Sequence, residues 1–246
     1  MNKILGIDVG GSGIKGALVD TDNGEMITER LRIVTPQPAT PTAVIDVINQ
    51  LVTHFEYDGA IGVGFPAVVR HGIVLSAANV DDGWINYPAV AEINRVTGCP
   101  TTMLNDADVA GIAEMSYGAG RSHHDKTVMI FTLGTGIGSC MFVNGRIVPN
   151  LEIGHMALYG ITPDAEKWAA SSVYKQEGLS WKEWGSRLTV YFQAVERYFS
   201  PDLFIIGGGV SKKFGKFSKH ISINTPMLPA EMRNHAGIIG AALSTM

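Results

Sequence analysis

The chain has 246 residues, a formal net charge of -4, 46% hydrophobic residues and two cysteines. That length admits one large domain or two modest ones with a proper core, and the acidic balance argues against nucleic acid as the main partner. Cys99 and Cys140 lie far apart outside any metal-ligand spacing, which argues against a structural metal; no apolar run is long enough to cross a bilayer, and the first strand starts too near Met1 for a signal peptide, so a cytoplasmic location is expected.

The first element is the most informative. Residues 4–9 read as a buried strand carrying Asp8, followed by the glycine turn Gly10-Gly11-Ser12-Gly13 and a return strand, Ile14-Lys15-Gly16-Ala17-Leu18-Val19. Glycines there let backbone N–H groups approach phosphoryl oxygens, and Asp8 can hold a divalent cation directly or through water. A strand, not a helix, follows Gly13, so the segment departs from a dinucleotide-binding fingerprint. An ordinary tight hairpin is the other reading of the same residues.

A further strand is expected near 30–34, then a proline-rich turn over 36–41. A helix capped by Thr42 follows to about Phe55, with Val44, Val47, Ile48 and Leu51 on its apolar face. Segments 60–66, which contains Gly64, and 72–75 read as strands, and 89–97 as a helix stopped by Gly98. Between them, the loop 78–84 offers Asn79 as donor and acceptor and Trp84 as an apolar wall. Strand 101–104 runs straight into Asn105-Asp106-Ala107-Asp108, at a strand end where α/β proteins bind ligands. Transfer of a phosphoryl group to an alcohol needs a base for the hydroxyl proton. Asp106 suits that role, with Asn105 orienting the acceptor. The competing reading makes Asp106 or Asp108, with Asp108 preferred, the cap of a helix starting near Val109.

Half a chain later the pattern returns. Strand 127–133 ends in Gly134-Thr135-Gly136-Ile137-Gly138 and runs on through 139–143 to a tight Asn144-Gly145 turn before 146–148. Two such units predict a duplicated architecture, with two lobes facing one phosphoryl donor. The boundary is expected after Asp106, giving a smaller lobe, 1–106, joined by the C-terminal helix 236–246, and a larger lobe, 107–235. Glu152-Ile153-Gly154-His155 sets a carboxylate and an imidazole close together, a pair suited to adjacent sugar hydroxyls or simply a surface pair. A strong helix spans 181–199 and is closed by Ser200-Pro201, strand 203–206 ends in a third cluster, Gly207-Gly208-Gly209, and 237–243 is a final apolar helix. Lys212, Lys213, Lys216 and Lys219 follow the third glycine cluster, either as cations for a long polyanion or as a solvated helix face.

Together these motifs make the chain resemble the sugar kinases of the ROK group (repressor, open reading frame, kinase), in the actin-like, ribonuclease-H-like phosphotransferase superfamily. The resemblance is carried by residues 8–15, 76–81, 104–108, 132–138, 152–155 and 200–211. It implies a two-lobed α/β fold with a duplicated mixed-sheet core and transfer of a phosphoryl group to the 6-hydroxyl of glucose. The donor would be inorganic polyphosphate or ATP, the metal Mg²⁺, and the assembly a homodimer. It further implies Asp106 as catalytic base and Gly64, Asn79, Asn105, Asp106, Glu152 and His155 around the sugar. Asp8, through which Mg²⁺ would be held, Gly10, Gly11, Ser12, Gly13, Lys15, Thr132, Gly134, Thr135, Gly136, Gly208, Gly209, Lys212 and Lys213 would manage the donor. One departure matters: residues 156–172 lack the cysteine-rich zinc motif of many members, so structural zinc is not expected and the polyphosphate-using branch is favoured. A strictly ATP-dependent hexokinase shares every acceptor residue. A non-catalytic sugar sensor is disfavoured, because a strand from Ile4 leaves no room for an N-terminal DNA-binding helix-turn-helix.

Overall fold

The computed structural model describes residues 2–77 and 80–246. In chain order the first stretch contains β1 (Lys3–Gly10), β2 (Gly13–Asp20), β3 (Glu25–Met26), β4 (Leu31–Ile33), α1 (Pro41–His54), β5 (Ile61–Phe65), β6 (Val69–Arg70), β7 (Ile73–Val74), α2 (Ala89–Thr97), β8 (Thr101–Asn105) and α3 (Asp106–Ser116). Next come β9 (Thr127–Leu133), β10 (Ile137–Val143), β11 (Arg146–Val148), α4 (Glu166–Ala169), α5 (Ser171–Gln176), α6 (Trp181–Phe199), β12 (Leu203–Gly207), α7 (Phe214–Phe217), β13 (Met227–Pro229) and α8 (Ala236–Leu243). They form two compact units: Met1–Tyr117 with His235–Met246, and Gly118–Asn234.

The sheet of the first unit has the order β3-β2-β1-β5-β8, with β4 also on β2, and that of the second β11-β10-β9-β12-β13. In both, the first two pairings are antiparallel and the last two parallel. Each unit is therefore a hairpin continued by parallel strands, the topological trace of a duplication.

Strand alternation sorts the faces of β1. Leu5, Ile7 and Val9 are buried in one cluster with Val44, Ile48 and Leu51 of α1, while Gly6, Asp8 and Gly10 share the opposite face. A Cβ on Gly6 or on Gly62 of β5 would run into backbone carbonyls of α8, so this face is glycine because a helix lies directly on it. That helix is built of small residues, and Gly240 brings it against the Val109 carbonyl of α3. Through this contact α3 stays with the first unit. The boundary therefore lies after Tyr117, eleven residues beyond the position expected from sequence, and the first unit is the longer of the two.

Helix α1 starts two residues earlier than its sequence predicts. Thr40 is the N-cap, its side chain accepting from the Ala43 N–H, because Pro41 has a preset φ and no N–H to satisfy in the first turn. Helix α2 ends as expected at Gly98, in the left-handed region with φ of 72°. In the second unit, α6 opens with a reciprocal Ser180–Glu183 capping box and lays Tyr191 and Phe192 edge-on against Phe131 of β9. The lysine-rich segment forms short turns of helix, not one long face. Among the described residues no helix is long and apolar enough to cross a membrane.

Candidate active site

In the first unit β1 and β2 close through a two-residue turn, Gly11-Ser12, with Gly10 paired to Gly13. Asp8 and Lys15 are direct cross-strand partners, and Lys15 Nζ lies 3.0 Å from Asp8 Oδ2 with both side chains largely buried. The carboxylate of Asp8 also abuts Gly237 at the start of α8. One carboxylate oxygen beside an N–H-rich turn fits Mg²⁺, which uses one or two carboxylates together with phosphate oxygens and water. Two side chains from beyond β2 brace the turn: Thr35 Oγ1 donates to the Gly10 carbonyl and Arg32 Nη2 to the Ser12 carbonyl, each at 2.5 Å. A cavity of about 290 Å³ opens beside it, lined among others by Gly10, Gly11, Thr35, Pro66 and Asp81.

At the end of β8 the chain turns into α3 one residue after Asn105. The Asn105 side chain is the N-cap: Oδ1 accepts from the N–H groups of Ala107 at 2.8 Å and Asp108 at 3.4 Å, while Nδ2 donates to the Ala67 carbonyl at 3.2 Å. This corrects the assignment of the cap to Asp108, which is fully buried inside the first turn, and moves the helix start from near Val109 to Asp106. Asp106 is exposed on the first helical turn, where the helix dipole favours a negative charge. Gly64 is buried in β5, and a Cβ there would strike Val109, so it seats α3 closely behind Asp106. Asn79 lies outside the described residues. Trp84, expected as an apolar wall, is fully buried, its ring tilted against Phe65 and its indole N–H on the Ala39 carbonyl.

In the second unit the β9–β10 hairpin turns over Gly134-Thr135-Gly136, just beyond Thr132 of β9. Gly208, with φ of 81°, packs against the Leu133 backbone, where no side chain fits. Gly134, Thr135 and Gly209 line a second cavity of about 560 Å³ together with Ser172 and Lys175 of α5. Ser172 fastens the turn, its N–H on the Gly134 carbonyl and its hydroxyl on that of Thr135. Lys212 and Lys213 are exposed and do not line this cavity; Lys213 Nζ sits 5.9 Å over the Trp181 ring.

Glu152 and His155 come together on a short turn of helix, His155 Nε2 lying 4.0 Å from Glu152 Oε2. Two residues that no motif announced complete the group. His155 Nδ1 lies 3.4 Å from Asp164 and 3.7 Å from Glu166, and the other oxygen of Glu166 accepts from the Ile137 N–H beneath Gly136. Glu166 thereby links the glycine turn to the Glu152–His155 pair. Burial pushes the Glu152 carboxyl above its ordinary range, opposed by His155 and reinforced by Glu166. The ligand atoms of His155, Asp164 and Glu166 all lie within 4.8 Å of one another, close enough for a cation or for adjacent sugar hydroxyls.

The chain matches the ROK family over residues 4–168. A polyphosphate glucokinase of Mycobacterium tuberculosis (strain CDC 1551 / Oshkosh) is 46% identical over 243 residues, covering 98% of this chain and 91% of that protein. The crystal structure of an inorganic polyphosphate/ATP-glucomannokinase from Arthrobacter sp. strain KM is 44% identical, covers 99% of this chain and 98% of that one, and superposes with a TM-score of 0.92. A ROK family glucokinase from Streptomyces griseus, solved with glucose and AMPPNP, shares the fold at a TM-score of 0.81 and 23% identity, covering 98% of each chain. The duplicated hairpins and the sheets built on them are thus those of the actin-like sugar kinases, and this chain belongs to the ROK family.

Proposed function

We propose that the protein phosphorylates glucose at its 6-hydroxyl, with inorganic polyphosphate as phosphoryl donor and ATP as a second donor. The observation that carries this reading is the identity of 44–46% over nearly the whole length of proteins named for polyphosphate-linked sugar phosphorylation. Asp106 accepts the proton of the 6-hydroxyl as its oxygen attacks the terminal phosphorus, and a polyphosphate shortened by one unit leaves with the bridging oxygen. Asn105 fixes the backbone from which Asp106 projects. Glu152 and His155, steadied by Asp164 and Glu166, take sugar hydroxyls, and the cavity at Gly134, Thr135 and Gly209 takes the donor. Asp8 is the Mg²⁺ carboxylate; bound there, Mg²⁺ neutralises charge on the phosphoryl oxygens.

A coupled assay for glucose 6-phosphate with ATP, short polyphosphate and long polyphosphate, each with and without Mg²⁺, tests the reading. Robust turnover with polyphosphate supports it. Activity with ATP alone would make the protein a strictly ATP-dependent hexokinase. The resemblance also carries the proposal of a cytoplasmic homodimer, which light scattering after gel filtration would overturn by returning a monomer mass.

A further inference from the structure

We propose that the cation meeting the donor phosphate at the first glycine hairpin is Arg32, with Lys15 held back as the partner of Asp8. This deepens the proposed function and rests on it. The residues Asp8, Lys15 and Arg32 form one row across three strands, because β1 pairs Asp8 with Lys15 and β4 pairs Arg32 with Lys15 from the other side. Direct partners in a sheet point to the same face. Within this row Lys15 spends its charge on Asp8 at 3.0 Å. Arg32 is exposed, and among the described residues it makes no ion pair.

The guanidinium of Arg32 lies over the hairpin itself. It fills the space beside Gly13 that a Cβ would need, and one N–H is anchored on the Ser12 carbonyl. That anchor sets the planar group next to the glycine turn, and the guanidinium carries further N–H donors besides the one on Ser12. A guanidinium so fixed can take two oxygens of a phosphoanhydride through a rigid planar fork, a geometry that a flexible, point-like ammonium does not impose. The chemistry it recognises is a pair of neighbouring phosphoryl oxygens, present in polyphosphate and in the ATP tail alike. Gly13 is then glycine partly to leave room for this side chain.

Arg32→Gln separates the charge from the support it gives the hairpin, since the amide still carries a donor for the Ser12 carbonyl. Arg32→Lys keeps the charge and loses the planar fork. Steady-state kinetics for each variant with polyphosphate, ATP and glucose varied in turn, over a series of KCl concentrations, read the effect. For Arg32→Gln the donor KM is expected to rise about ten- to a hundredfold, the worth of a charge-assisted contact, with glucose KM within about twofold. The dependence of donor KM on salt becomes shallower, and Arg32→Lys falls between. Donor KM and salt dependence equal to wild type would overturn the inference, as would equal rises in donor and glucose KM. Thermal shift with tripolyphosphate is read in parallel, without turnover. If the wild type turned over neither donor, the proposed function would fail. The inference would still stand or fall on whether tripolyphosphate stabilises the wild type and not Arg32→Gln.

Discussion

Among the described residues, the substitution Asn105→Ala removes two distinct sets of interactions from one buried position. The first is the N-cap, two N–H groups of α3 accepted by one side-chain oxygen, and its loss costs about 1 kcal/mol within a range of about 0.5–2. The second is the bond to the Ala67 carbonyl, which is left buried without that donor, costing about another 1 kcal/mol. Together they amount to about 2 kcal/mol, or an unfolding midpoint lower by about 4–8 °C in a chain of this size. Asn105→Ser retains a capping oxygen but cannot reach Ala67, so its loss is about half as large. Asp106 is the next residue, and slack in its backbone lowers kcat of the alanine variant by about ten- to a hundredfold. Circular dichroism melts and urea titrations measure the first effect and the glucose 6-phosphate assay the second. An alanine variant within about 0.5 kcal/mol of wild type, or less stable serine than alanine, would refute the two-bond account.

Asp106→Asn should lower turnover by about 10² to 10⁴ with glucose affinity within about tenfold, as for loss of a general base; near-normal kcat would remove Asp106 from the mechanism. Glu152→Gln should raise glucose KM by about tenfold and donor KM far less. Since burial raises the folded-state pKa of Glu152, the folded protein binds the extra proton and stability falls as pH rises through that pKa. The glutamine variant should therefore be the more stable protein at high pH, an advantage that shrinks in melts at lower pH. Gly240→Ala drives a methyl group into the Val109 carbonyl and should cost about 1–3 kcal/mol in urea unfolding, with reduced kcat because α3 carries Asp106. Chelation with EDTA should abolish turnover with either donor, and added Mg²⁺ should restore it; full activity after chelation would exclude Asp8 as a metal carboxylate in the mechanism.

Much of the local structure around the candidate site could be read before any coordinates because glycine clusters and apolar runs are local signals. A turn such as Gly10-Gly11-Ser12-Gly13 and the strands beside it are dictated by neighbours a few residues away, as is the left-handed stop at Gly98. The sequence therefore marked both hairpins, the strand running into Asn105-Asp106, and the Glu152–His155 pair as candidate chemistry-bearing segments. Its local errors have local causes: Pro41 outweighed Thr42 for the first turn of α1, and Asn105 rather than Asp108 took the cap of α3. Tertiary structure alone decided what those segments touch. The pairing of β4 with β2 brings Arg32 to Ser12, packing of α8 retains α3 in the first unit, and a return of the chain puts Asp164, nine residues on, and Glu166, eleven residues on, beside His155. Such contacts depend on strand register and helix docking, which follow from the burial of whole faces, and no residue pattern within a short window encodes them.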